Sequence, residues 1–398
     1  MSAAGKHSQP YPWEQRKLGE IATIVGGGTP STKNPEYWDG DINWYSPAEI
    51  GNQIYAKKSE RQITELGLKK SSAKLLPVGT VLFTSRAGIG KTAILNKEAC
   101  TNQGFQSIIP RSKMLNSYFL FSRTNSLKQY GETMGSGSTF VEVSGKQMSK
   151  MPLFIPNINE QSKIAKLFQS LDRTITLHEE KHRQLEQLKK ALLQKMFADE
   201  TGYPVLRFKG FTKKWEQRKL EDLGEILTGS TPSTKHTEYY SKNGIPWVTP
   251  TDIKRNITFS TPRKLSALGE SVGRIVPKNT LLITCIASIG KNTILGTKGS
   301  FNQQINGLIP RFDKYDLYFL FTQSNLWSQK MKHKAATGTM QIVNKKDFTN
   351  LNTLVPILSE QRHIGNMFEQ LDHLITLHQH KIDNLKRLKR ALLQKMFV

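Results

Sequence analysis

Cysteine is nearly absent from this sequence of 398 residues, and its scarcity excludes two kinds of architecture. The two cysteines, Cys100 and Cys285, stand at unmatched places in the chain. A disulfide framework or a zinc site with thiolate ligands needs more cysteines at regular spacings. The sequence therefore predicts a fold held together by hydrophobic cores, and its length suffices for more than one of them.

Long apolar runs are also missing. No uninterrupted apolar run approaches the roughly 18 residues that a membrane-spanning helix needs, and the mean hydropathy is −0.47. Residues 1 to 10 lack the apolar segment of a signal peptide. We therefore expect a cytoplasmic protein that is not embedded in a membrane.

Acidic residues are scarce relative to basic ones. The chain has 57 lysines and arginines against 32 aspartates and glutamates, a net charge of +25. Residues 1 to 155 hold 19 basic and 11 acidic residues, and residues 201 to 355 hold 23 and 10, so these two regions carry most of the excess. A surplus of this size indicates a polyanionic partner, with nucleic acid as the first candidate.

The chain is a tandem duplication with a period of about 200 residues. Residues 171 to 197 and 371 to 397 agree at 17 of 27 positions, and both end in Ala-Leu-Leu-Gln-Lys-Met-Phe. Four shorter sequences also recur, namely Trp13-Glu-Gln-Arg-Lys-Leu18 as Trp215-Glu-Gln-Arg-Lys-Leu220, Thr29-Pro-Ser-Thr-Lys33 as Thr231-Pro-Ser-Thr-Lys235, Ile89-Gly-Lys91 as Ile289-Gly-Lys291, and Tyr118-Phe-Leu-Phe121 as Tyr318-Phe-Leu-Phe321.

Each copy begins with a region of mixed secondary structure, residues 1–155 and 201–355. Both regions are rich in glycine, proline, serine and threonine. Short apolar runs such as Val81–Phe83 and Leu281–Ile283 predict β-strands, and the stretch from Ser117 to Tyr130 predicts a helix. The fold class is therefore α+β, with two pseudo-repeated globular domains of mixed α and β structure.

Each copy ends in a region that predicts one long helix, residues 156–200 and 356–398. From about 160 to 198 and from about 360 to 398 there is no proline and almost no glycine, and helix-forming residues dominate. Asn159 and Ser359 are the predicted N-caps, because each precedes a glutamate that complements the start of a helix.

Residues recur every seven positions along both predicted helices, which is typical of a coiled-coil seam. A second column, three residues further on, is assigned to Leu167, Leu188, Met367, Leu374 and Leu388. We expect the two helices to form an antiparallel coiled coil. The first column consists of Ile164, Leu171, His178, Leu185 and Leu192, and of Ile364, Leu371, His378, Leu385 and Leu392.

His178 and His378 occupy matched positions near the middle of the two helices. In an antiparallel pair the two rings meet. A polar layer that fixes the register of the helices is favoured there over a metal site or a pH switch.

Several short motifs suggest enzymes but fit simpler roles better. Ala87-Gly-Ile-Gly-Lys-Thr92 lacks the first glycine of a phosphate-binding loop, so a hairpin turn that presents Lys91 is favoured. Asn34-Pro-Glu-Tyr37 has glutamate where the catalytic loop of adenine methyltransferases has a second proline, and no glycine-rich cofactor loop accompanies it. Trp44 and Trp247 are assigned to core packing.

The combination of these repeated elements resembles the specificity subunit of type I restriction-modification systems. Twice over, a Trp-Glu-Gln-Arg-Lys-Leu sequence introduces a variable globular region, and a helix opened by Glu160-Gln161 or Glu360-Gln361 ends in Leu-Leu-Gln-Lys-Met-Phe. The resemblance covers nearly the whole chain. It implies that residues 1–155 and 201–355 are target recognition domains, each reading half of an asymmetric bipartite site in duplex DNA.

The resemblance also implies partners and cofactors. Residues 156–200 and 356–398 act as spacers that dock two modification subunits, and restriction subunits join the full complex. This chain is then noncatalytic and binds no cofactor or metal itself. S-adenosylmethionine for adenine N6 methylation, and ATP with Mg for restriction of unmodified DNA, belong to the partner subunits.

Two other functions remain open. A coiled-coil adaptor with basic globular domains would bind DNA without sequence preference. A self-sufficient DNA enzyme would methylate or cleave DNA alone, but the sequence lacks cofactor and metal motifs for that chemistry.

Polar and basic residues on the repeated loops are the predicted DNA contacts. Arginine suits guanine and the carboxamides suit adenine, whereas lysine, serine and threonine more often hold phosphates. The candidates are Thr29, Ser31, Lys33, Ser46, Arg86, Lys91, Asn102, Gln103, Ser138 and Thr139 in the first copy, and Thr231, Ser233, Lys235, Thr249, Lys254, Arg255, Ser288, Lys291, Gln303, Gln304 and Thr339 in the second.

Overall fold

The computed structural model describes residues 13–51, 53–86, 88–135, 142–286, 288–336 and 343–397. The chain divides into two compact units. Unit 1 extends to Leu177 and includes the chain from Ile382 onward, and unit 2 is His178–Lys381. Each unit thus combines one globular region with a segment of each long helix. The two units are defined by packing. The boundaries at residues 155, 200 and 355 are derived from sequence composition and stay a prediction.

Unit 1 contains a five-stranded sheet in the order β2-β9-β6-β7-β4, a three-stranded sheet β5-β3-β8 and the pair β1-β10. Its strands are β1 (Glu14–Lys17), β2 (Ala22–Gly26), β3 (Trp38–Tyr45), β4 (Tyr55–Ala56), β5 (Arg61–Ile63), β6 (Val81–Phe83), β7 (Thr92–Leu95), β8 (Ala99–Thr101), β9 (Gln106–Pro110) and β10 (Pro152–Ile155). Its helices are α1 (Leu18–Ile21), α2 (Glu65–Lys69), α3 (Ser117–Ser122), α4 (Thr124–Gly135), α5 (Gly145–Ser149) and the first part of α6 (Ile158–Met196), together with the end of the second long helix, α11 (Leu358–Met396).

Unit 2 repeats this plan with five-stranded sheets in the orders β12-β21-β18-β19-β15 and β13-β16-β14-β20-β17, and the pair β11-β22. Its strands are β11 (Glu216–Lys219), β12 (Gly224–Thr228), β13 (Tyr240–Ser241), β14 (Ile245–Val248), β15 (Ile257–Thr258), β16 (Lys264–Leu265), β17 (Ile275–Val276), β18 (Leu281–Thr284), β19 (Asn292–Leu295), β20 (Gly299–Phe301), β21 (Ile305–Pro310) and β22 (Asn352–Val355). Its helices are α7 (Leu220–Leu223), α8 (Ala267–Val272), α9 (Leu317–Ala336), α10 (Lys345–Thr349) and the first part of α11 (Leu358–Met396), together with the end of α6.

Both sequences that repeat most closely have structural roles. The Glu-Gln-Arg-Lys sequence forms β1 and β11, which pair antiparallel with the strand that precedes each long helix. The Met-Phe ending of each helix packs into a hydrophobic core. Phe397 contacts Trp13, Phe119 and Phe168 in unit 1, and Phe197 contacts the corresponding Trp215, Phe319 and Phe368 in unit 2.

The predicted secondary structure is largely confirmed, but the predicted helix caps are wrong. The Ser117–Tyr130 prediction corresponds to α3 and α4, which are separated at Arg123. The long helices begin at Ile158 and Leu358, one residue before the predicted caps. In α6 the side chain of Asn157 accepts a hydrogen bond from the Glu160 backbone N–H at 3.0 Å. Asn157 therefore does the work that the sequence assigned to Asn159.

Within each unit the two long helices run antiparallel, as predicted. In unit 2, His178 lies against His378, and Lys189 lies against Asp372. Residue numbers therefore rise along one helix where they fall along the other. In unit 1, Asp172 pairs with Lys389. The first heptad column is buried or half-buried throughout. Interlocking of side chains along a continuous coiled coil stays a prediction.

Four of the five residues assigned to the second heptad column are misplaced, and the fifth, Met367, is half-buried against the core of unit 2. Leu167, Leu188, Leu374 and Leu388 are each more than two-fifths exposed. The companion column, which is buried or half-buried throughout, lies four residues after the first one instead of three. It consists of Phe168, Ile175, His182, Lys189 and Met196, with Phe368, Ile375, Ile382, Lys389 and Met396. Because this column contains two lysines and a histidine, the sequence does not show it as a continuous apolar column.

The two lysines of that column are held by repeated ion pairs. In unit 1 the carboxylate of Asp172 accepts from the Lys389 ammonium at 2.5 Å and from the Tyr118 hydroxyl at 2.9 Å. In unit 2, Asp372 accepts from Lys189 at 2.5 Å and from Tyr318 at 2.8 Å. Both aspartates are buried. Each carboxylate therefore joins the helix pair to the globular helix that carries the tyrosine.

The two matched histidines form the polar layer that the sequence predicts. Their Nδ1 atoms lie 2.9 Å apart, so one ring donates to the other. This hydrogen bond requires that at least one ring be neutral. Burial lowers the pKa of His378, and the positive charges of His178, Lys381, Lys181 and His182 lower it further.

Acidification is expected to destabilise unit 2 through this pair. Because the pKa of His378 is lower in the folded state than its ordinary value of 6.5, the histidine's contribution to stability is fully present above that value and is lost as the pH falls through the lowered pKa. Thermal unfolding measured between pH 7.5 and 5 should show a larger loss of stability in the wild type than in His378→Asn. Equal losses in both proteins would contradict this role.

Candidate nucleic-acid interface

The loop after β2 places Thr29 and Ser31 at the surface of unit 1. Two tryptophans hold its backbone: the Trp44 indole donates to the Gly28 carbonyl at 2.9 Å, and the Trp38 indole donates to the Ser31 carbonyl at 3.1 Å. A Cβ on Gly28 would lie 2.4 Å from the backbone of Ser72, so only glycine fits there. The two indoles thus fix the backbone of the loop, on which Ser31 is exposed and Thr29 is half-buried.

Gln103 joins this loop to a second one, which follows β8. The Thr29 hydroxyl donates to the Gln103 side-chain oxygen. The Asn102 backbone N–H donates to the Tyr45 carbonyl at 3.0 Å, and its side-chain oxygen accepts from the Gly104 N–H at 2.8 Å. The structure therefore brings together Thr29, Asn102 and Gln103, which the sequence treats as separate candidates.

The hairpin between β6 and β7 adds Arg86 and Lys91. The Ser85 N–H donates to the Gly104 carbonyl at 2.8 Å, which attaches the hairpin to the Gln103 loop. Two hydrogen bonds close the turn: the Thr84 hydroxyl donates to the Gly88 carbonyl, and the Gly90 N–H donates to the Thr84 carbonyl. Both glycines have positive φ. The predicted hairpin is confirmed, and its Lys91 is exposed.

The charge of Arg86 is only weakly balanced within unit 1. Its guanidinium lies 3.9 Å from the Glu142 carboxylate, and both side chains are about two-fifths exposed. An exposed pair at this distance contributes little to stability. Arg86 is therefore available to an anionic or hydrogen-bonding ligand beside the Gln103 loop.

Unit 2 builds the same loops from its own residues. Thr231 donates to Gln303, the Trp247 indole donates to the Ser230 carbonyl at 3.0 Å, and the Cys285 N–H donates to the Gln304 carbonyl at 2.9 Å. The ammonium of Lys291 donates to the Pro250 carbonyl at 3.2 Å, which ties the hairpin to a neighbouring loop. Ser233 and Lys235 are exposed on the loop that contains Thr231.

Several candidates are already engaged in holding the loops. The Ser46 hydroxyl donates to the Glu49 carboxylate at 2.9 Å, and the Thr249 hydroxyl donates to Asp252 at 2.6 Å, so both cap short turns. The Gln304 side chain accepts from Asn302 at 2.9 Å, and the Ser288 carbonyl accepts from Thr284. The hydroxyl donors of Ser46 and Thr249 are therefore used within the loops, whereas the cited contacts engage only the backbone carbonyl of Ser288 and the side-chain oxygen of Gln304. Ser31 and Lys33 are exposed.

Lys254 and Arg255 lie apart from the other candidates of unit 2. They line a cavity of about 590 Å³ together with Tyr318 and residues of the long helices, among them Asp372 and His380. Three further candidates, Ser138, Thr139 and Thr339, lie outside the described residues.

Two arginines that the sequence did not single out lie beside the loops. Arg61 stacks on Trp38, with its guanidinium carbon 3.5 Å from the ring centroid. In unit 2, Arg263 lies over Tyr240 at 5.1 Å. Both arginines are exposed and occur at the same offset of 202 residues as the Thr-Pro-Ser-Thr-Lys sequence, and that offset is the signal that could have revealed them.

Other predicted features have structural roles. Trp44 and Trp247 are buried, which confirms their assignment to core packing. The Asn34-Pro-Glu-Tyr37 sequence forms a short 3₁₀ turn. Burial raises the pKa of the Cys100 thiol to about 12 and that of Cys285 to about 11, so neither is a reactive thiolate near neutral pH.

Comparison with known proteins agrees with the internal duplication. The family model described as the type I restriction modification DNA specificity domain matches residues 10–187 and again residues 212–387. The chain belongs to this family. The two matches coincide with the two copies, each including a globular region and most of its long helix.

Individual relatives of this family match over different lengths. The type I restriction enzyme MjaIX specificity subunit of Methanocaldococcus jannaschii is 34% identical over 250 residues, which span 60% of this chain and 57% of that relative. The putative MjaX specificity subunit of the same organism is 23% identical over 96% of this chain and 92% of its own length.

Solved structures show the same fold. The S subunit of the type I restriction-modification system of M. genitalium has a TM-score of 0.68 at 14% identity, covering 99% of this chain and 98% of that one. Among the residues described in the specificity-domain chain, no helix is both long and apolar enough to cross a membrane.

Proposed function

We propose that this chain is the DNA-reading subunit of a type I restriction-modification complex and that each unit reads one half of an asymmetric bipartite target in duplex DNA. The observation that carries the proposal is the duplicated loop cluster around Thr29–Gln103 and Thr231–Gln303. Each copy of this loop cluster lies within one of the two matches to the DNA specificity domain. The globular regions that contain the clusters also hold most of the chain's net charge of +25. Polar side chains on loops fixed from beneath suit readout of base edges.

Divergence between the units supports two different half-sites. The hairpin of unit 1 offers Arg86, whereas the corresponding position of unit 2 is Ile286. An arginine can contact guanine through two hydrogen bonds, but an isoleucine has no donor. The two halves of the target are therefore expected to differ in sequence.

The chemistry is proposed to belong to partner subunits. In this proposal the chain is noncatalytic, modification subunits supply S-adenosylmethionine and methylate adenine N6, and restriction subunits use ATP with Mg. Its work on chromosomal DNA takes place in the cytoplasm. The buried, unreactive cysteines and the engaged polar side chains of the loops are in keeping with a binding role.

The exposed leucines of the long helices are the proposed docking sites for two modification subunits. Unit 1 exposes Leu167, Leu177 and Leu388, and unit 2 exposes Leu188, Leu374 and Leu377. These are two sets of exposed apolar side chains on the long helices, and a protein partner that covers such side chains buries apolar area. Each unit offers one such set, which fits one modification subunit per unit.

Arg86→Ala is expected to alter recognition of one half-site and leave the other unchanged. The reason is that Arg86 belongs to unit 1 and has no basic counterpart in unit 2. Loss of one arginine–guanine contact weakens discrimination by about 1 to 3 kcal/mol. The check is to measure methylation by the reconstituted complex on targets varied in each half separately. Equal losses in both halves would contradict the assignment.

The alternative function is an adaptor with basic globular domains that bind DNA non-specifically. It predicts that the complex with modification subunits binds all duplexes of one length equally well. Selection from random duplex DNA by that complex distinguishes the two functions, since a reader enriches one gapped sequence and an adaptor enriches none.

A further inference from the structure

The two stacked arginines are the strongest feature that the proposed contacts leave unexplained. Arg61 begins β5 and pairs with Trp44 across the sheet, while its guanidinium lies on Trp38. A separation of 3.5 Å is van der Waals contact, so the cation sits directly on the ring face. The backbone of Arg61 is engaged in the sheet and with Ser59, but among the described residues its guanidinium forms no ion pair or hydrogen bond, so the donors at its edge are free.

The ring beneath Arg61 also fixes the Thr29 loop. The Trp38 indole that Arg61 covers donates to the Ser31 carbonyl at 3.1 Å, and Trp38 packs edge-on against Trp44 at 5.2 Å. Trp44 in turn donates to Gly28. One aromatic pair therefore positions both the guanidinium and the loop, so their relative placement is set before any ligand arrives.

The second copy repeats this arrangement with different residues. Arg263 lies 5.1 Å from the Tyr240 centroid and 5.9 Å from the Trp247 centroid. The Tyr240 hydroxyl donates to the Pro232 carbonyl in the Thr231 loop at 2.6 Å, and the Trp247 indole donates to Ser230. Tyr240 stands where unit 1 has Trp38, but the arginine beside the loop is present in both units.

Simple stabilisation explains this arrangement poorly. An exposed cation–π contact contributes only about 0.5 to 1 kcal/mol, which any long basic side chain could supply. A guanidinium held in place at an exposed site, with its donors free, loses less conformational freedom when it binds a planar acceptor. The Hoogsteen edge of guanine, with O6 and N7, is such an acceptor in the major groove.

We propose that Arg61 and Arg263 are specificity-determining residues, each contacting a guanine in the half-site that its own unit reads. This inference rests on the proposed function of the chain in DNA recognition. A guanine contact predicts an effect confined to one base pair, whereas a phosphate contact predicts a uniform loss of affinity on all sequences.

The test uses the reconstituted complex of the full chain with its modification subunits. Targets carrying every base at each position of both half-sites are methylated together, and the relative rates are read by sequencing. Arg61→Ala is compared with Arg61→Met, whose apolar chain still covers Trp38, with Arg61→Lys, which keeps the charge, and with Arg111→Ala, which removes an exposed arginine elsewhere in unit 1. Thermal unfolding of each variant shows whether the fold is kept.

The expected result is that all three Arg61 variants lose a preference for guanine at one position of one half-site, on the order of 10- to 100-fold. Arg263→Met loses a guanine preference in the other half-site, and Arg111→Ala behaves as the wild type. A uniform loss across all sequences, rescue by Arg61→Lys, or unchanged preferences in folded Arg61→Met would overturn the inference while leaving the proposed function intact. A wild-type complex without sequence preference would overturn the proposed function itself.

Discussion

Asp172→Ala is expected to lower the free energy of unfolding of unit 1 by about 3 kcal/mol, the low end of the range for breaking a buried ion pair. The substitution leaves the Lys389 ammonium and the Tyr118 hydroxyl without the acceptor that both now share. Lys389 is 26% exposed and can reach water in part, which keeps the expected cost near the lower limit. Chemical denaturation followed by circular dichroism measures the change.

A matched set of variants separates this ion pair from general effects on the helix. Arg173→Ala changes an exposed neighbour on the same helix and should shift stability by less than about 0.5 kcal/mol. Tyr118→Phe removes one hydrogen bond and should cost about 1 kcal/mol. Asp372→Ala should lower the free energy of unfolding of unit 2 by a similar amount, because Lys189 and Tyr318 share the Asp372 carboxylate as their acceptor. A loss below 1 kcal/mol for both aspartates would show that the pairs do not hold the helices to the globular regions.

The second large effect is expected on assembly. Leu177 is 64% exposed on α6 in unit 1, and Leu377 is 38% exposed on α11 in unit 2. Burying a leucine side chain in an interface contributes about 1.5 to 3 kcal/mol, and a glutamate in its place adds the cost of desolvating a charge. Leu177→Glu or Leu377→Glu should therefore weaken binding of one modification subunit by at least 10-fold, and the double variant should bind neither.

Analytical ultracentrifugation with purified modification subunits measures the stoichiometry directly. Leu75→Glu serves as the control, because Leu75 is 44% exposed and lies in the globular region of unit 1 instead of on a long helix. Unchanged binding of two modification subunits by the double variant would place the docking surface elsewhere.

The sequence predicted the features of the fold that depend on local pattern. The apolar run Val81–Phe83 became the buried strand β6, and the seven-residue repeat that begins at Ile164 marked the seam of the long helices. The companion column was misassigned because Lys189 and Lys389 are polar, and their burial depends on aspartates of the opposite helix. That dependence is a tertiary contact with no local signature.

The candidate site was predictable in its residue types and less so in its geometry. Repetition between the two copies, at offsets of 202 and 200 residues, pointed to Thr29 and Gln103, and the side chains of these two candidates meet across 74 residues of chain. The same reasoning could not tell that Ser46 caps a turn or that Lys254 and Arg255 line a separate cavity. Arg61 was overlooked because its neighbours differ from those of Arg263, although the offset is the same.

A genome-wide map of N6-methyladenine tests whether this chain selects the DNA sequence that its partner subunits methylate. Single-molecule sequencing would compare cells with the gene, cells without it, and cells in which the Arg86→Ala variant replaces it. Deletion of the gene is expected to remove methylation from one gapped, asymmetric motif, and Arg86→Ala is expected to change only one half of that motif. An unchanged map after deletion, in cells shown to contain active modification subunits, would contradict the proposed role of this chain in selecting the methylated sequence.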